Sequence, residues 1–252
     1  MHLKLSILLI LLLTNSSVVS FVPLPRSIEN FPMDMVWQLD HSQWDILLKK
    51  HVDNTGNVDY KGFAQDINAL QDYLDYLAKN QPTDKSHKPE KLAYYINLYN
   101  AATVKLILDN YPTKSIKDIK NPWGKDVVQM GTEKISLGNL EHKILRKMDE
   151  PRIHFAINCA SFSCPKLLNT AFTATNLEKL LEQTAIDFIN DPKRNVLTKE
   201  KASLSEIFNW YKKDFTKNGS LIDYLNKYAS QKLTSDTKIS YLNYNWGLNE
   251  IE

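Results

Sequence analysis

Glycine is scarce in this chain, with 7 among 252 residues, whereas ordinary usage near 7% would supply more than twice that number. Such a shortage argues against a turn-dense all-β sandwich. Cysteine is scarcer still, at two, too few for the disulfide framework that holds small secreted folds together. Neither sign of charge dominates: 31 Lys and Arg oppose 29 Asp and Glu, with the signs interspersed. There is no basic stripe to call for nucleic acid and no block that calls for an acidic polymer. Nor is there an apolar run of the roughly 20 residues that a bilayer span needs.

What is present begins with Lys4 and the apolar stretch Leu5 to Leu13, broken only by Ser6, and then small and polar residues ending Val18, Val19, Ser20. This arrangement reads as a cleavable signal peptide over 1–20, with no cysteine near the cleavage position to take a lipid. The expectation is a secreted or periplasmic protein that starts near Phe21. Residues 21–35, with three prolines, read as an extended leader, and 36–252 as a single domain.

Hydrophobic periodicity predicts helices over 36–50, 63–79 and 89–109, the last with Pro89 in its first turn and Pro112 just beyond its end. Asp53 to Asn57 reads as a plain turn rather than a calcium loop, because it lacks the glycine and closing glutamate at the positions such a loop requires. Two short strands are expected at 127–130 and 134–136, then a helix over 137–148 capped by Ser136. The alternation of Ile153, Phe155 and Ile157 predicts a buried strand ending at Cys159. Thr175 and Glu178 suggest a capping box for a helix to about Ile189, followed by a hairpin at 195–204, short helices near 206–213 and 220–228, and a strand over 238–244. The sum is an α+β fold, mostly helical around a small mixed or antiparallel sheet.

Chemistry concentrates between His154 and Pro165, which hold both cysteines, a histidine and a proline stop within twelve residues. A thiol attacks as thiolate and wants a cation or imidazole nearby. Asn97 and Asn100 share a face of a helix apolar on nearly all sides, so they either brace backbone or line a polar site. Glu141 falls inside the core arc of its helix, where a carboxylate survives only if paired. His142 sits at the edge of that arc. Arg146 or Arg152 could pair with Glu141. The Trp210–Phe215 and Tyr244–Trp246 blocks read as core packing.

Several segments in order then resemble one known family: Val52–Tyr60, Ala93–Ala101 (Ala-Tyr-Tyr-Ile-Asn-Leu-Tyr-Asn-Ala), Leu140–Arg146, His154–Pro165, Trp210–Phe215 and Tyr244–Asn249. They are similar to the blocks of the domain of unknown function 547 family and span nearly all of the chain from Trp44 to Asn249. The resemblance implies export, common among bacterial members, but names no activity. In plant relatives another residue can stand at the position like Cys164, which favours Cys159 as the nucleophile.

Three readings compete. In a thiol-dependent hydrolase or acyltransferase acting on an amide or ester, Cys159 attacks, His142 or His154 takes its proton, Glu141 or Asn97 orients the ring, and backbone N–H groups hold the oxyanion. Asn100, Asn158, Ser161 and Cys164 would line the binding site. Every histidine precedes Cys159, an order a permuted papain-like arrangement would allow. The second reading is a non-catalytic exported module for a peptide, glycan, partner protein or small molecule, with a Cys159–Cys164 disulfide shaping a loop. A redox-active dithiol is the third; its spacing is not the two-residue spacing of thioredoxin-like motifs and no βαβ unit surrounds it. A zinc set of Cys159, Cys164, His154 and His142 lacks the short paired spacing of zinc ribbons, so neither metal nor cofactor is expected.

Overall fold

The computed structural model describes residues 39–251. The signal peptide and leader expected over 1–20 and 21–35 lie outside the described residues. The described residues open with helices α1 (Ser42–His51), α2 (Tyr60–Phe63) and α3 (Ile67–Lys79), and then the long α4 (Lys88–Leu108). Helix α4 is capped reciprocally, Glu90 accepting from the His87 N–H at 2.8 Å, and carries proline in its first turn. Sixteen of its 21 residues are buried, as an apolar circumference requires. The turn before α2 is a plain one: Asp53 Oδ1 accepts from the backbone of Thr55 and Asn57.

A two-stranded antiparallel ribbon follows, β1 (Asp126–Met130) and β2 (Glu133–Ser136). Ser136 then caps α5 (Leu137–Asn139), accepting from the Asn139 N–H at 3.1 Å. The single helix expected over 137–148 is instead three pieces, since a π-helical turn at Leu140–Ile144 and a 3₁₀ turn at Leu145–Met148 follow α5, ending in left-handed Asp149. Such π turns are rare and are often found at functional sites.

The strand expected at 153–157 is a 3₁₀ helix over Pro151–Phe155. Glu150 accepts from the Arg152 N–H at 3.1 Å, and Pro151 has the φ a helix start wants. The apolar alternation that suggested a strand serves another purpose: Ile153, Ala156 and Ile157 enter one hydrophobic core, and Phe155 enters a second.

Helix α6 (Leu177–Asn190) comes next. Its lead-in is held by a Thr173–Asn176 exchange of backbone-to-side-chain bonds at 2.7 and 3.2 Å rather than by Thr175 and Glu178. Glu178 is drawn away to Arg152, at 2.7 Å. The remaining elements are β3 (Val196–Leu197), β4 (Lys201–Leu204), α7 (Ile207–Trp210), α8 (Lys212–Phe215), α9 (Leu221–Tyr228) and β5 (Lys238–Tyr241). β3 pairs antiparallel with β4, and β4 pairs parallel with β5, so this sheet is mixed. The fold is α+β, helical with two small sheets. Among the described residues no helix is long and apolar enough to cross a membrane.

Two cores hold these elements. The larger gathers around α4, with Trp44, Tyr60, Phe63 and Tyr73 fully buried. The second joins Phe155, Phe188, Phe208 and Phe215 beneath the mixed sheet, with Phe155 and Phe215 stacked at 5.6 Å. Burying each such ring contributes roughly 1.5–3 kcal/mol. Residues 151–160 straddle both cores, which fixes the start of the cysteine loop from two sides.

Candidate functional site

The loop that carries the cysteines is pinned along its whole length. Asn100, buried on α4, donates to the Ala156 carbonyl at 3.0 Å and accepts from the Asn158 N–H at 2.8 Å. Asn158 in turn donates to the Pro165 carbonyl at 2.7 Å and accepts from the Ala160 N–H at 2.8 Å, closing the loop on itself. From the other side, the C-terminal segment lies alongside. Phe162 N–H donates to the Gly247 carbonyl at 2.7 Å and Ser163 N–H to the Asn245 carbonyl at 3.1 Å. Ala160 is held at φ 57°, a left-handed conformation that costs a non-glycine residue about 1–2 kcal/mol and turns the chain immediately after Cys159.

Inside this frame the two sulfurs touch, 2.9 Å apart, and the Cys159 N–H donates to Cys164 Sγ at 3.0 Å. Cys159 is half-buried and Cys164 buried. Ser161 Oγ lies 3.2 Å from Cys159 Sγ and donates to the Tyr244 hydroxyl at 3.1 Å, itself 3.5 Å from Cys159 Sγ. The environment divides the two thiols. The Cys164 thiol, donating to Cys159 with help from the Ser161 and Tyr244 hydroxyls, lowers Cys159 below the ordinary thiol range against the opposing effects of burial and of the Glu141 charge. Burial, together with the neighbouring Cys159, pushes Cys164 well above that range. Hydroxyl and thiol donors around a sulfur favour its thiolate, so Cys159 is the member of the pair more inclined to ionise and Cys164 the one inclined to stay protonated.

The histidines stand elsewhere. His154 is sealed against α8, its Nε2 2.8 Å from Asp214 Oδ2 and its ring stacked on Tyr211 at 3.9 Å. Burial lowers its pKa from the usual histidine value, so the ring is neutral and donates through Nε2. Asp214 is also clamped by Arg146 at 2.6 and 2.8 Å, and those donors hold its carboxyl well below the usual range against burial. His142, expected to face inward, is exposed, with Nδ1 3.2 Å from Arg146 Nη1. The π turn brings Glu141 in and leaves its neighbour out. Among the described residues no histidine nitrogen hydrogen-bonds to Cys159 Sγ.

Glu141 is buried and accepts from the Tyr99 hydroxyl at 3.3 Å, while its Oε1 has no hydrogen-bond partner among the described residues and lies 3.7 Å from His142 Nδ1. The pairing with Arg146 or Arg152 is not formed. Arg152 instead holds Glu150 and Glu178, at 2.8 and 2.7 Å. Asn97 holds the Phe172 backbone with both amide groups, at 2.7 and 3.1 Å, and so orients no imidazole.

The residues that sequence reasoning missed are tyrosines and one aspartate. Tyr244, Tyr211 and Asp214 lie in the blocks read as packing, yet Tyr244 accepts from Ser161 beside Cys159 and Tyr211 roofs His154. Of the two tryptophans in those blocks, Trp246 is half-buried and packs against the larger core, as expected, while Trp210 does not. Trp210 is 46% exposed and stacks on Trp246 at 5.6 Å beside Tyr244. A tyrosine two residues before a tryptophan within a repeated aromatic block was the available signal. Among the described residues no three histidine, cysteine or acidic side chains come together in a geometry that would hold a metal.

No curated protein and no solved structure matches the chain. A family model does match over residues 83–189, the stretch that runs from α4 through the cysteine loop to α6. The blocks near 52–60, 210–215 and 244–249 lie outside this match. Over that central segment, the chain is similar to the family described as "Protein of unknown function, DUF547".

Proposed function

We propose that the protein works by thiol–disulfide exchange, with Cys159 as attacking sulfur and Cys164 as resolving sulfur, in an exported setting. The observation that carries this reading is the contact of two unequal thiols, one half-buried and inclined to thiolate, the other buried and inclined to stay protonated. Exchange requires little else. The Cys159 thiolate attacks one sulfur of a substrate disulfide, forming a mixed disulfide and expelling the other sulfur as a thiolate that takes a proton from solvent. Cys164 then loses its proton to solvent and attacks Cys159 Sγ, expelling the second substrate thiolate. The substrate disulfide is reduced to two thiols and the protein pair is oxidised to a disulfide. The same steps run in reverse when the pair starts oxidised: a substrate thiolate attacks Cys159 Sγ, Cys164 leaves as thiolate and takes a proton, and the second substrate thiolate then releases Cys159 as the substrate disulfide forms. As Cys164 deprotonates, the Cys159 N–H already aimed at its sulfur stabilises the charge.

A cysteine hydrolase or acyltransferase at Cys159 asks for more than the site offers. Among the described residues no imidazole hydrogen-bonds to the sulfur, and the N–H groups of 158, 159, 160, 162, 163 and 164 already donate within the fold, leaving no pair of them to hold an oxyanion. A non-catalytic binding module with a merely structural disulfide would use the same two sulfurs, and reactivity separates it from the proposal.

The test uses a peptide with an internal disulfide in a glutathione buffer, followed by mass spectrometry. Wild type is expected to accelerate exchange, Cys159→Ala to abolish the acceleration, and Cys164→Ala to accumulate a mixed disulfide at Cys159. No acceleration by wild type would return the pair to a structural role. A stable acyl adduct at Cys159 from an activated ester, with no exchange, would restore the hydrolase reading.

A further inference from the structure

On the far flank of the cysteine loop, a cleft of about 410 Å³ opens between the turn at 54–57, the loop residues 162–166, helix α6 and the turn at 191–194. Its size falls within the roughly 300–1,000 Å³ of small-molecule sites. One wall is aromatic. Phe155 and Phe188 form its base, 5.3 Å apart, and Phe162, 43% exposed, stands at the rim. That exposure is unusual for a large ring that the loop could have turned inward.

The charges opposite are unbalanced. Lys166, Lys193 and Arg194 face Asp187 and Asp191. Lys166 is matched by Asp187 at 2.8 Å. Asp191 reaches Arg194 only at Nε, at 4.0 Å, and its other oxygen accepts from the Lys193 backbone. The Arg194 guanidinium lies over the Phe162 ring at 5.0 Å, and apart from the 4.0 Å approach of Asp191 it meets no acceptor among the described residues. A guanidinium fork without a close acceptor is best matched by a planar carboxylate. An apolar wall beside that fork defines the rest of the ligand.

We infer that this cleft binds a small carboxylic acid with an apolar body, the carboxylate on Arg194 and the body against Phe155, Phe162 and Phe188. The site does not depend on the thiol reading, because neither sulfur lines it. A phosphate or sulfate would match the fork but leave the aromatic wall uncovered, and a neutral apolar molecule would leave Arg194 unmatched.

Calorimetric titration with 3-phenylpropionate, 3-phenylpropanol and propionate decides the matter. Wild type is expected to bind 3-phenylpropionate saturably and the alcohol about tenfold more weakly or worse, a charge-assisted fork contributing at least that much. Propionate, without the ring, should also bind more weakly. Arg194→Gln should erase the preference for acid over alcohol, Arg194→Lys should keep only part of it, and Phe162→Ser should weaken both phenyl ligands alike. Cys159→Ala, which removes a sulfur that does not line the cleft, should leave the affinity for 3-phenylpropionate as in wild type. Circular dichroism shows whether each variant folds, and if Arg194→Gln does not, the lysine variant carries the test. The inference fails if 3-phenylpropionate shows no saturable binding, if the alcohol binds as tightly, or if a folded Arg194 variant keeps the full preference.

Discussion

Replacing Asn100 by alanine removes the brace on which the cysteine loop rests. The side chain is 3% exposed and makes two bonds to backbone, donating to the Ala156 carbonyl at 3.0 Å and accepting from the Asn158 N–H at 2.8 Å. Both backbone groups lie inside the protein, so the substitution leaves a buried acceptor and a buried donor without partners. At about 1–3 kcal/mol for each unsatisfied group, the loss is roughly 2–6 kcal/mol. For a domain of this length, at about 2–4 °C per kcal/mol, that corresponds to a melting point lower by about 4–24 °C. Urea unfolding measures it directly, with the exposed Asn218→Ala as control, expected to stay within about 0.5 kcal/mol of wild type. A second readout is local. With Asn158 released, Cys159 should lose its fixed contact with Cys164 and be alkylated with a pH midpoint closer to that of a free thiol. A stability change for Asn100→Ala under about 1 kcal/mol, with unaltered alkylation, would refute the bracing argument.

Cys164→Ala deletes the S–H that favours the Cys159 thiolate, so the alkylation midpoint of Cys159 should rise, while Cys164→Ser, which keeps a donor, should raise it less; stopped-flow alkylation across pH reads both. Burial lowers His41 to about 4, its Nδ1 held 2.8 Å from the Tyr73 hydroxyl. With a folded value below the unfolded 6.5, its contribution to stability is complete above pH 6.5 and is lost as pH falls toward 4, to the extent of about 3 kcal/mol. Buried His154 adds in the same direction. Urea midpoints at pH 7 and 4.5 should show this decline, and His41→Gln should reduce it. Gly56→Ala should destabilise by about 2 kcal/mol or more, because φ is +87° and the added Cβ would meet Lys166 Cβ at 2.2 Å; the same unfolding assay checks it.

Much of the helical frame was legible because it is locally encoded. The burial of α4 followed from its apolar circumference, and the burial of Asn97 and Asn100 followed with it; both amides hold backbone, one of the two alternatives left open. The ribbon β1–β2 and the hairpin β3–β4 lie within a residue or two of their expected limits. Reading failed where a local pattern had two causes. Ile153, Phe155 and Ile157 alternate because the segment serves two cores, not because it is extended, and Pro151 with the Glu150 cap selects 3₁₀ geometry. An uninterrupted helical projection over 137–148 could not foresee the π turn that leaves His142 in solvent. The partners of Cys159 beyond its own loop were invisible, since Tyr244 lies 85 residues away and is brought in by the C-terminal segment. Long-range pairing of this kind leaves no periodicity to read.

The central claim concerns the order of events at two sulfurs, and the reaction of the reduced, folded protein with an aromatic disulfide such as dithiobis-nitrobenzoate tests it most directly. Wild type should release both nitrothiobenzoate groups of each reagent molecule and finish as an internal disulfide with no reagent attached. Cys164→Ala should release one group and retain the other on Cys159, and Cys159→Ala should react slowly. A wild-type protein that keeps reagent on Cys159, or a Cys159→Ala variant that reacts as fast as wild type, would contradict the account.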